Sequence, residues 1–376
     1  MQNWRVMSRI VLKAAFLLVI VNGLFAVVWR ETAAGSLPPF LGSLSLYNHL
    51  FPGRERLPYG ENPTESYNLS LNSLPALFAS HQLHQPKAAD EFRVILLGDS
   101  GIWGWFLQND ETLAGQLNAM GIEMADGRRL IVYNLGYPII SLSKDLLLLD
   151  EAMRYDPDLI LWPVTLESFA LPKQLDHPIL QHNPARLRSL IAAYGLHLDA
   201  HDPRFVEPDF WHSSLIGQRR ALADWLRLQQ VGVVWAATGI DQAIPAEIPL
   251  RQSDFAADVS WQTFDTETTL TSNDLAFDVL AAGLRRAGNV PVLIINEPIF
   301  ISKGENSHLR YNLWYPRWAY DQYRALLAQT MLAAERPYLD LWDAVLAAEF
   351  TDSPVHLTPA GTAVFAAHLK EALEGK

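Results

Sequence analysis

Three residues whose types can act together on an acyl group stand out in the sequence. Ser100 lies in the stretch FRVILLGDSGIWGW at 92–105, directly after an apolar run, whereas Asp352 and His356 lie in the last predicted loop. Serine is a weak nucleophile at neutral pH and needs an adjacent base that is itself held by a third group. We therefore predict Ser100 as the nucleophile, His356 as its base and Asp352 as the carboxylate that orients the base.

The elements that must position these side chains alternate along the chain. Apolar runs predict strands at 93–97, 130–133, 159–164, 290–295 and 338–341. Helices are predicted at 110–121, 143–155, 275–287 and 317–334, and a last one after Thr358-Pro359. This alternation indicates an α/β fold with a parallel sheet flanked by helices. Ser100 then follows the first strand, at the edge where open α/β sheets bind their ligands.

The composition limits the class of protein and of site. Of 376 residues, 49% are apolar and 19% are charged, which permits a large core. The formal net charge of -12 disfavours nucleic acid as a partner, because phosphate contacts need clustered lysine and arginine. The chain has no cysteine, which excludes disulfides, thiolate metal sites and cysteine nucleophiles. No H-E-x-x-H motif and no cofactor fingerprint occurs, so we expect a site without metal or cofactor.

The amino-terminal region predicts a membrane anchor. Residues 10–29 form an apolar run with one charge, about the length that spans a hydrocarbon core of ~30 Å. Arg5, Arg9 and Lys13 precede or open the run, so the positive-inside rule places the amino terminus in the cytoplasm and the remainder outside it. A cleaved signal peptide is the alternative, since small residues follow at 33–35, but the run exceeds the usual apolar region of such a peptide.

Composition also divides the rest of the chain. We expect a cytoplasmic tip and transmembrane anchor at 1–30, an extracytoplasmic stem at 31–89 and a catalytic domain at 90–376. The strand-helix alternation stops at about 171–274, which we interpret as an insertion that could cover the site. Within it, 213–230 has the pattern of an amphipathic helix, and the apolar run 231–240 is too short for a second span. That run is expected to be a buried helix or strand.

Three sequence blocks carry a family resemblance. GDSGIWG after the first strand, NLG after the second, and the Asp/His loop followed by LTPAG resemble the blocks of SGNH, or GDSL-type, hydrolases. The resemblance covers residue 92 to the carboxyl terminus, apart from the insertion. It implies a three-layer α/β/α fold with a five-stranded, flavodoxin-like parallel sheet. It also implies catalysis by Ser100, His356 and Asp352, with the backbone amides of Ser100 and Gly136 in an oxyanion hole.

Two positions depart from the pattern of that family. The third block, G-x-N-D, is replaced by PVTL at 163–166, so the asparagine that donates to the oxyanion is missing and Thr165 is the possible substitute. The last block usually reads D-x-x-H, and here one more residue separates Asp352 from His356. The assignment of Asp352 therefore depends on a loop that can absorb the extra residue.

Substrate contacts are less well defined. Trp103 could line an acyl pocket or belong to the core, and Asn296 and Glu297 follow a buried strand at the ligand-binding edge. Aromatic residues at 311–323 could stack on a sugar, although their helical spacing favours core packing.

The sequence thus predicts an extracytoplasmic, membrane-anchored esterase or O-acyltransferase that forms an acyl-enzyme on Ser100. The substrate would be a cell-surface glycan or a small ester. In its architecture the chain resembles membrane-tethered O-acetyltransferases of surface polysaccharides. This resemblance concerns the fold alone. The alternative is a catalytically weak scaffold of the same fold that binds a glycan or a partner protein, and the missing asparagine favours it.

Overall fold

A computed structural model describes residues 2–30, 53–60, 72–207, 209–239 and 244–374. Its centre is a sheet of five parallel strands in the order β2-β1-β3-β4-β5. The strands are β1 (Glu91–Leu96), β2 (Arg129–Asn134), β3 (Leu159–Val164), β4 (Val292–Asn296) and β5 (Tyr338–Asp340). This is the flavodoxin-like order, in which the chain turns back between β1 and β3. The predicted α/β fold with a five-stranded parallel sheet is confirmed.

Helices cover both faces of the sheet. They are α1 (Gln2–Arg30), α2 (Leu74–Ser80), α3 (Ser100–Trp103), α4 (Leu113–Ala119), α5 (Leu142–Ala152), α6 (Pro178–Gln181), α7 (Pro184–Tyr194), α8 (Arg219–Thr238), α9 (Phe277–Ala287), α10 (Arg317–Ala333) and α11 (Pro359–Glu374). Successive strand residues point to opposite faces. Ile95 packs in the core that α5, α9 and α10 cover, whereas Val94 and Leu96 pack in the core under α4 and α11. The molecule therefore has the three layers expected for an α/β/α fold.

The segment at 171–274 contains α6, α7 and α8. From Arg219 on, the predicted amphipathic stretch and the apolar run after it form the single helix α8, which ends at Thr238, whereas 213–218 lie before the helix. Contrary to the expected burial of the apolar run, Val234 is 50% exposed. The end of that run, at 240, lies outside the described residues.

The amino-terminal helix α1 contains the stretch Trp4–Val27, which among the described residues is the one helix long and apolar enough to cross a membrane. Of the predicted stem, 53–60 and 72–89 are described. Leu57 and Leu77 are fully buried in the core of the domain. These parts of the stem region therefore pack as part of the globular fold.

Candidate active site

The turn after β1 holds Ser100 by backbone geometry and a helix cap. Gly98 has a φ of 138°, a conformation that side chains with a Cβ rarely adopt. Asp99 caps α3, because its Oδ1 accepts the amide N–H of Gly101 at 2.7 Å. Ser100 is consequently the first residue of α3, at the carboxyl end of a central strand.

The loop that carries Asp352 and His356 is a tight hairpin. Phe350 and Leu357 form an antiparallel bridge, and the amide of Thr351 donates to the carbonyl of His356 at 2.9 Å. Thr358 then caps α11, since its Oγ1 accepts the amide of Gly361 at 3.1 Å. The hairpin bends the chain back between Asp352 and His356, so the extra residue between them is absorbed without separating the two side chains.

Ser100, His356 and Asp352 form a continuous chain of hydrogen bonds. His356 Nε2 lies 2.7 Å from Ser100 Oγ, and His356 Nδ1 lies 2.7 Å from Asp352 Oδ1. A carboxylate beside Nδ1 fixes the tautomer in which Nδ1–H donates and Nε2 accepts the serine proton. Burial acts to raise the pKa of Asp352, but the hydrogen bond and charge of His356 outweigh it and hold that pKa below its usual value. The carboxylate is therefore ionised at neutral pH.

Two further contacts fix the position of the histidine. The ring of Trp105 stacks on the His356 imidazole, with centroids 5.8 Å apart and planes inclined by 21°. At Gly101, a Cβ would lie 2.5 Å from the carbonyl oxygen of Val355. The serine turn and the histidine loop thus approach too closely for any residue but glycine at position 101.

A cavity of about 420 Å³ opens beside Ser100 and His356. Its lining residues are Ser100, Ile139, Ile140, Glu167, Lys173, Trp314, Asp352, Ser353 and His356. Lys173 forms an ion pair with Glu167, and Gln262 donates to the same carboxylate at 3.1 Å. The cavity therefore combines an apolar wall with one charged side, the mixture typical of small-molecule sites.

Two of the hydrogen-bond donors expected in the oxyanion hole, the amide of Gly136 and the hydroxyl of Thr165, have other partners in the structure. The amide of Gly136 donates to Asn134 Oδ1 at 3.0 Å, and Thr165 Oγ1 donates to the hydroxyl of Tyr315 at 3.1 Å. Neither Gly136 nor Thr165 lines the cavity. The amide of Ser100 is placed differently from both. Ser100 is the first residue of α3, and the first amides of a helix have no acceptor within that helix.

The three residues predicted as substrate contacts also lie off the cavity. Trp103 is fully buried and its Nε1 donates to the carbonyl of Leu57 at 2.8 Å. Asn296 is fully buried, donates to Asp340 and accepts the hydroxyls of two tyrosines of α10. Glu297 is buried, and burial together with the nearby charge of Asp99 raises its pKa well above the usual value. Hydrogen bonds inside the fold therefore hold Trp103 and Asn296, and Glu297 lies in the interior.

A buried lysine for which the sequence gives no signal donates hydrogen bonds to the turn that carries Ser100. Lys144 is fully buried; its Nζ donates to the carbonyls of Gly98 at 2.7 Å and Tyr137 at 2.5 Å. It also lies 3.0 Å from Asp145 Oδ1. Burial raises the pKa of Asp145 to about 6, against the opposing effects of Lys144 and the Trp162 indole. The helix pattern LSKDLLLL gave no sign that both charges face inward.

No model of a known protein family matches this chain, and none of the curated proteins matches it. Some solved structures are similar to it at low sequence identity. A carbohydrate acetylesterase family member from Sinorhizobium meliloti is 12% identical, covers 75% of this chain and 96% of its own, and has a TM-score of 0.33. The native aryl esterase of M. smegmatis is 12% identical, with coverages of 75% and 98% and a TM-score of 0.34. A protein from Lactobacillus plantarum is 15% identical, with coverages of 78% and 99% and a TM-score of 0.35.

Proposed function

We propose that this chain is an SGNH-type serine esterase or O-acyltransferase, anchored in the membrane by α1 and acting outside the cytoplasm. The observation that carries the proposal is the hydrogen-bonded series from Ser100 through His356 to Asp352 at the mouth of a cavity. The sequence resemblance supports it independently, because the same three residues occupy the catalytic positions of that family.

In the proposed reaction, Ser100 Oγ attacks the carbonyl carbon of an ester while its proton passes to His356 Nε2. Asp352 stabilises the imidazolium that forms. The tetrahedral intermediate collapses when His356 returns the proton to the leaving alcohol, which leaves the acyl group on Ser100. Water or a sugar hydroxyl then gives up its proton to His356 and attacks the acyl carbon. The bond from that carbon to Ser100 Oγ breaks as His356 returns the proton to the serine, so the product is a free acid with water and a new ester with the sugar.

The negative charge of the intermediate needs donors that are in place before the reaction. We assign the amide of Ser100 to this role, because it lies next to the reacting atom at the amino end of α3. The amide of Gly136 and the hydroxyl of Thr165 could contribute only after releasing Asn134 and Tyr315.

The residues that line the cavity favour an acyl group attached to a polar molecule such as a sugar. Ile139 and Ile140 offer an apolar wall, and Trp314 offers an aromatic surface suited to a sugar ring. Lys173 and Glu167, which also line the cavity, can bind hydroxyl groups. A glycan or small ester in the extracytoplasmic space is the substrate class that these residues support.

One observation favours the second candidate, a scaffold with weak or no catalysis. Two of the three expected oxyanion donors are engaged inside the protein. Such a scaffold would bind a glycan or partner protein without turning over an ester.

Ester turnover by the full-length protein in vesicles separates these functions. With p-nitrophenyl acetate, the enzyme is expected to release p-nitrophenol, and Ser100→Ala is expected to reduce release to background. Adding surface glycans distinguishes the two enzymes, because a transferase moves the acetyl group onto the glycan whereas an esterase releases acetate. Glycan binding by a wild-type protein that has no turnover would favour the scaffold.

A further inference from the structure

A surface formed by 209–234, here called the α8 surface, exposes several large apolar side chains. Trp211 is 71% exposed, Leu226 is 53% exposed, and Phe210, Ile216 and Val234 are each about half exposed. A concentration of exposed apolar side chains in one segment indicates an interaction site. On α8, the exposed apolar residues alternate with the exposed Arg219, Arg220 and Arg227.

The α8 surface adjoins the membrane anchor. The amide of Ile216 donates to Asn22 Oδ1 of α1 at 3.1 Å. Asn22 and Ala26 are buried, although most of α1 is exposed. The last quarter of the anchor therefore docks on the domain beside the exposed apolar residues.

The contact also places the α8 surface relative to the end of the apolar stretch of α1. Asn22 precedes Val27, the end of the membrane-spanning stretch, by five residues. At about 1.5 Å per helical residue, Ile216 lies roughly 7 Å inside the end of that stretch. Helices that lie in the membrane plane bury their apolar face by ~5–10 Å, so the depth agrees with an interfacial position.

We propose that the α8 surface is a second membrane contact, embedded in the outer boundary between headgroups and acyl chains. This inference rests on α1 being the anchor assigned above. Exposed tryptophan is typical of the membrane interface, and arginines next to apolar side chains bind anionic headgroups. Charge argues against a second span through the 20-residue helix α8, because its first half holds Arg219, Arg220, Asp224 and Arg227 and leaves too short an apolar stretch.

The absence of cysteine allows a direct test by site-specific labelling. Single variants Trp211→Cys and Leu226→Cys would be spin-labelled in the full-length protein reconstituted in phosphatidylcholine and phosphatidylglycerol vesicles. Accessibility to oxygen, which partitions into lipid, would be compared with accessibility to a water-soluble nickel chelate. Val19→Cys on α1 serves as the lipid reference, and the exposed Leu332 and Leu346 provide matched cysteine controls elsewhere on the domain.

The proposal predicts that labels at 19, 211 and 226 are more accessible to oxygen than to nickel, with the reverse at 332 and 346. Higher nickel accessibility at 211 and 226, with 19 still in lipid, would overturn the α8 contact and leave the anchor intact. Labels at 211 and 226 shielded from both reagents would overturn it in favour of a protein partner. Nickel accessibility at 19 would remove the anchor and this inference together. Ester turnover measured in the same vesicles reports separately on the catalytic proposal.

Discussion

His356 Nε2 lies 2.7 Å from Ser100 Oγ, although 256 positions separate the two residues in the chain. The parallel sheet places the turn after β1 next to the hairpin that precedes α11, and Gly101 allows the two backbones to touch. The backbone on both sides therefore sets the approach of the serine and the histidine. A preformed pair of this kind is what nucleophilic catalysis by serine requires.

The carboxylate of Asp352 is expected to orient the histidine. Asp352→Asn keeps the shape but favours the wrong imidazole tautomer, so kcat should fall by a factor on the order of 10²–10⁴. Ester turnover with p-nitrophenyl acetate measures this, with Asp343→Asn as a control on the carboxyl-terminal side of β5. A variant as active as wild type would mean that Asp352 has no such role.

The same carboxylate should make stability depend on pH. The pKa of Asp352 is lowered by folding, so its ionised form stabilises the native state above its unfolded pKa of about 3.9, and this contribution is lost as the pH falls through the folded value. The difference in unfolding free energy between wild type and Asp352→Asn should therefore shrink as the pH falls through the range in which Asp352 protonates. Urea unfolding at several acidic pH values measures this difference. A difference that stays unchanged down to strongly acidic pH would contradict the assigned shift.

Thr165→Val tests whether that hydroxyl serves catalysis or packing. In the structure it donates to Tyr315, and its removal leaves a buried hydroxyl without that partner, which costs about 1–3 kcal/mol of stability. We expect kcat to be nearly unchanged. Loss of an oxyanion donor would instead lower kcat by about 10²–10³. Tyr315→Phe is the matched partner, and the double variant should show strong non-additivity in its unfolding free energy.

Gly101→Ala should separate the serine turn from the histidine loop. The added Cβ meets the Val355 carbonyl at 2.5 Å, so the loop must shift. A displacement of about 1 Å at reacting groups can lower the rate by ~10², and overpacking costs about 1–3 kcal/mol of stability. Gly283→Ala, whose Cβ would lie 2.3 Å from the Trp162 ring, is the control. It should lose comparable stability and keep its kcat; equal losses of kcat in both variants would argue against the close approach at position 101.

Lys144→Met should destabilise the fold by about 3–5 kcal/mol, because it leaves the buried Asp145 without its cation. Protonation of Asp145 relieves the cost, so the loss should be smaller at pH 5 than at pH 8. Unfolding by urea at the two pH values measures it, and Lys370→Met on the surface of α11 is the control. A loss that is the same at both pH values would show that Asp145 does not carry the uncompensated charge.

Much of the fold could be predicted because its strands are apolar and short and end in polar motifs. The predicted strand at 159–164 coincides with β3, and Ser100 lies at the strand end that its apolar run indicated. The Asp352–His356 contact depended on whether the loop could bend around Pro354, which spacing leaves open. The bridge between Phe350 and Leu357 decides it.

The walls of the site could not be predicted, because they come from loops without a motif. Lys173 and Glu167 follow β3, and Trp314 lies in the loop before α10. In the sequence, Trp103 is as compatible with a pocket as with the core. Its place in the core depends on a hydrogen bond to the carbonyl of residue 57, which is remote in the chain. The hydrogen bond from the Gly136 amide to Asn134 depends on the conformation of the asparagine side chain, and the NLG block does not indicate that conformation.

The most direct test of the central claim is covalent labelling of Ser100 by a fluorophosphonate probe in the full-length protein. We expect stoichiometric labelling of wild type at Ser100, located by peptide mass spectrometry, and none in Ser100→Ala. His356→Ala should label far more slowly, because the serine has lost its base. Absence of labelling in wild type, or equal labelling in His356→Ala, would contradict a serine activated by His356.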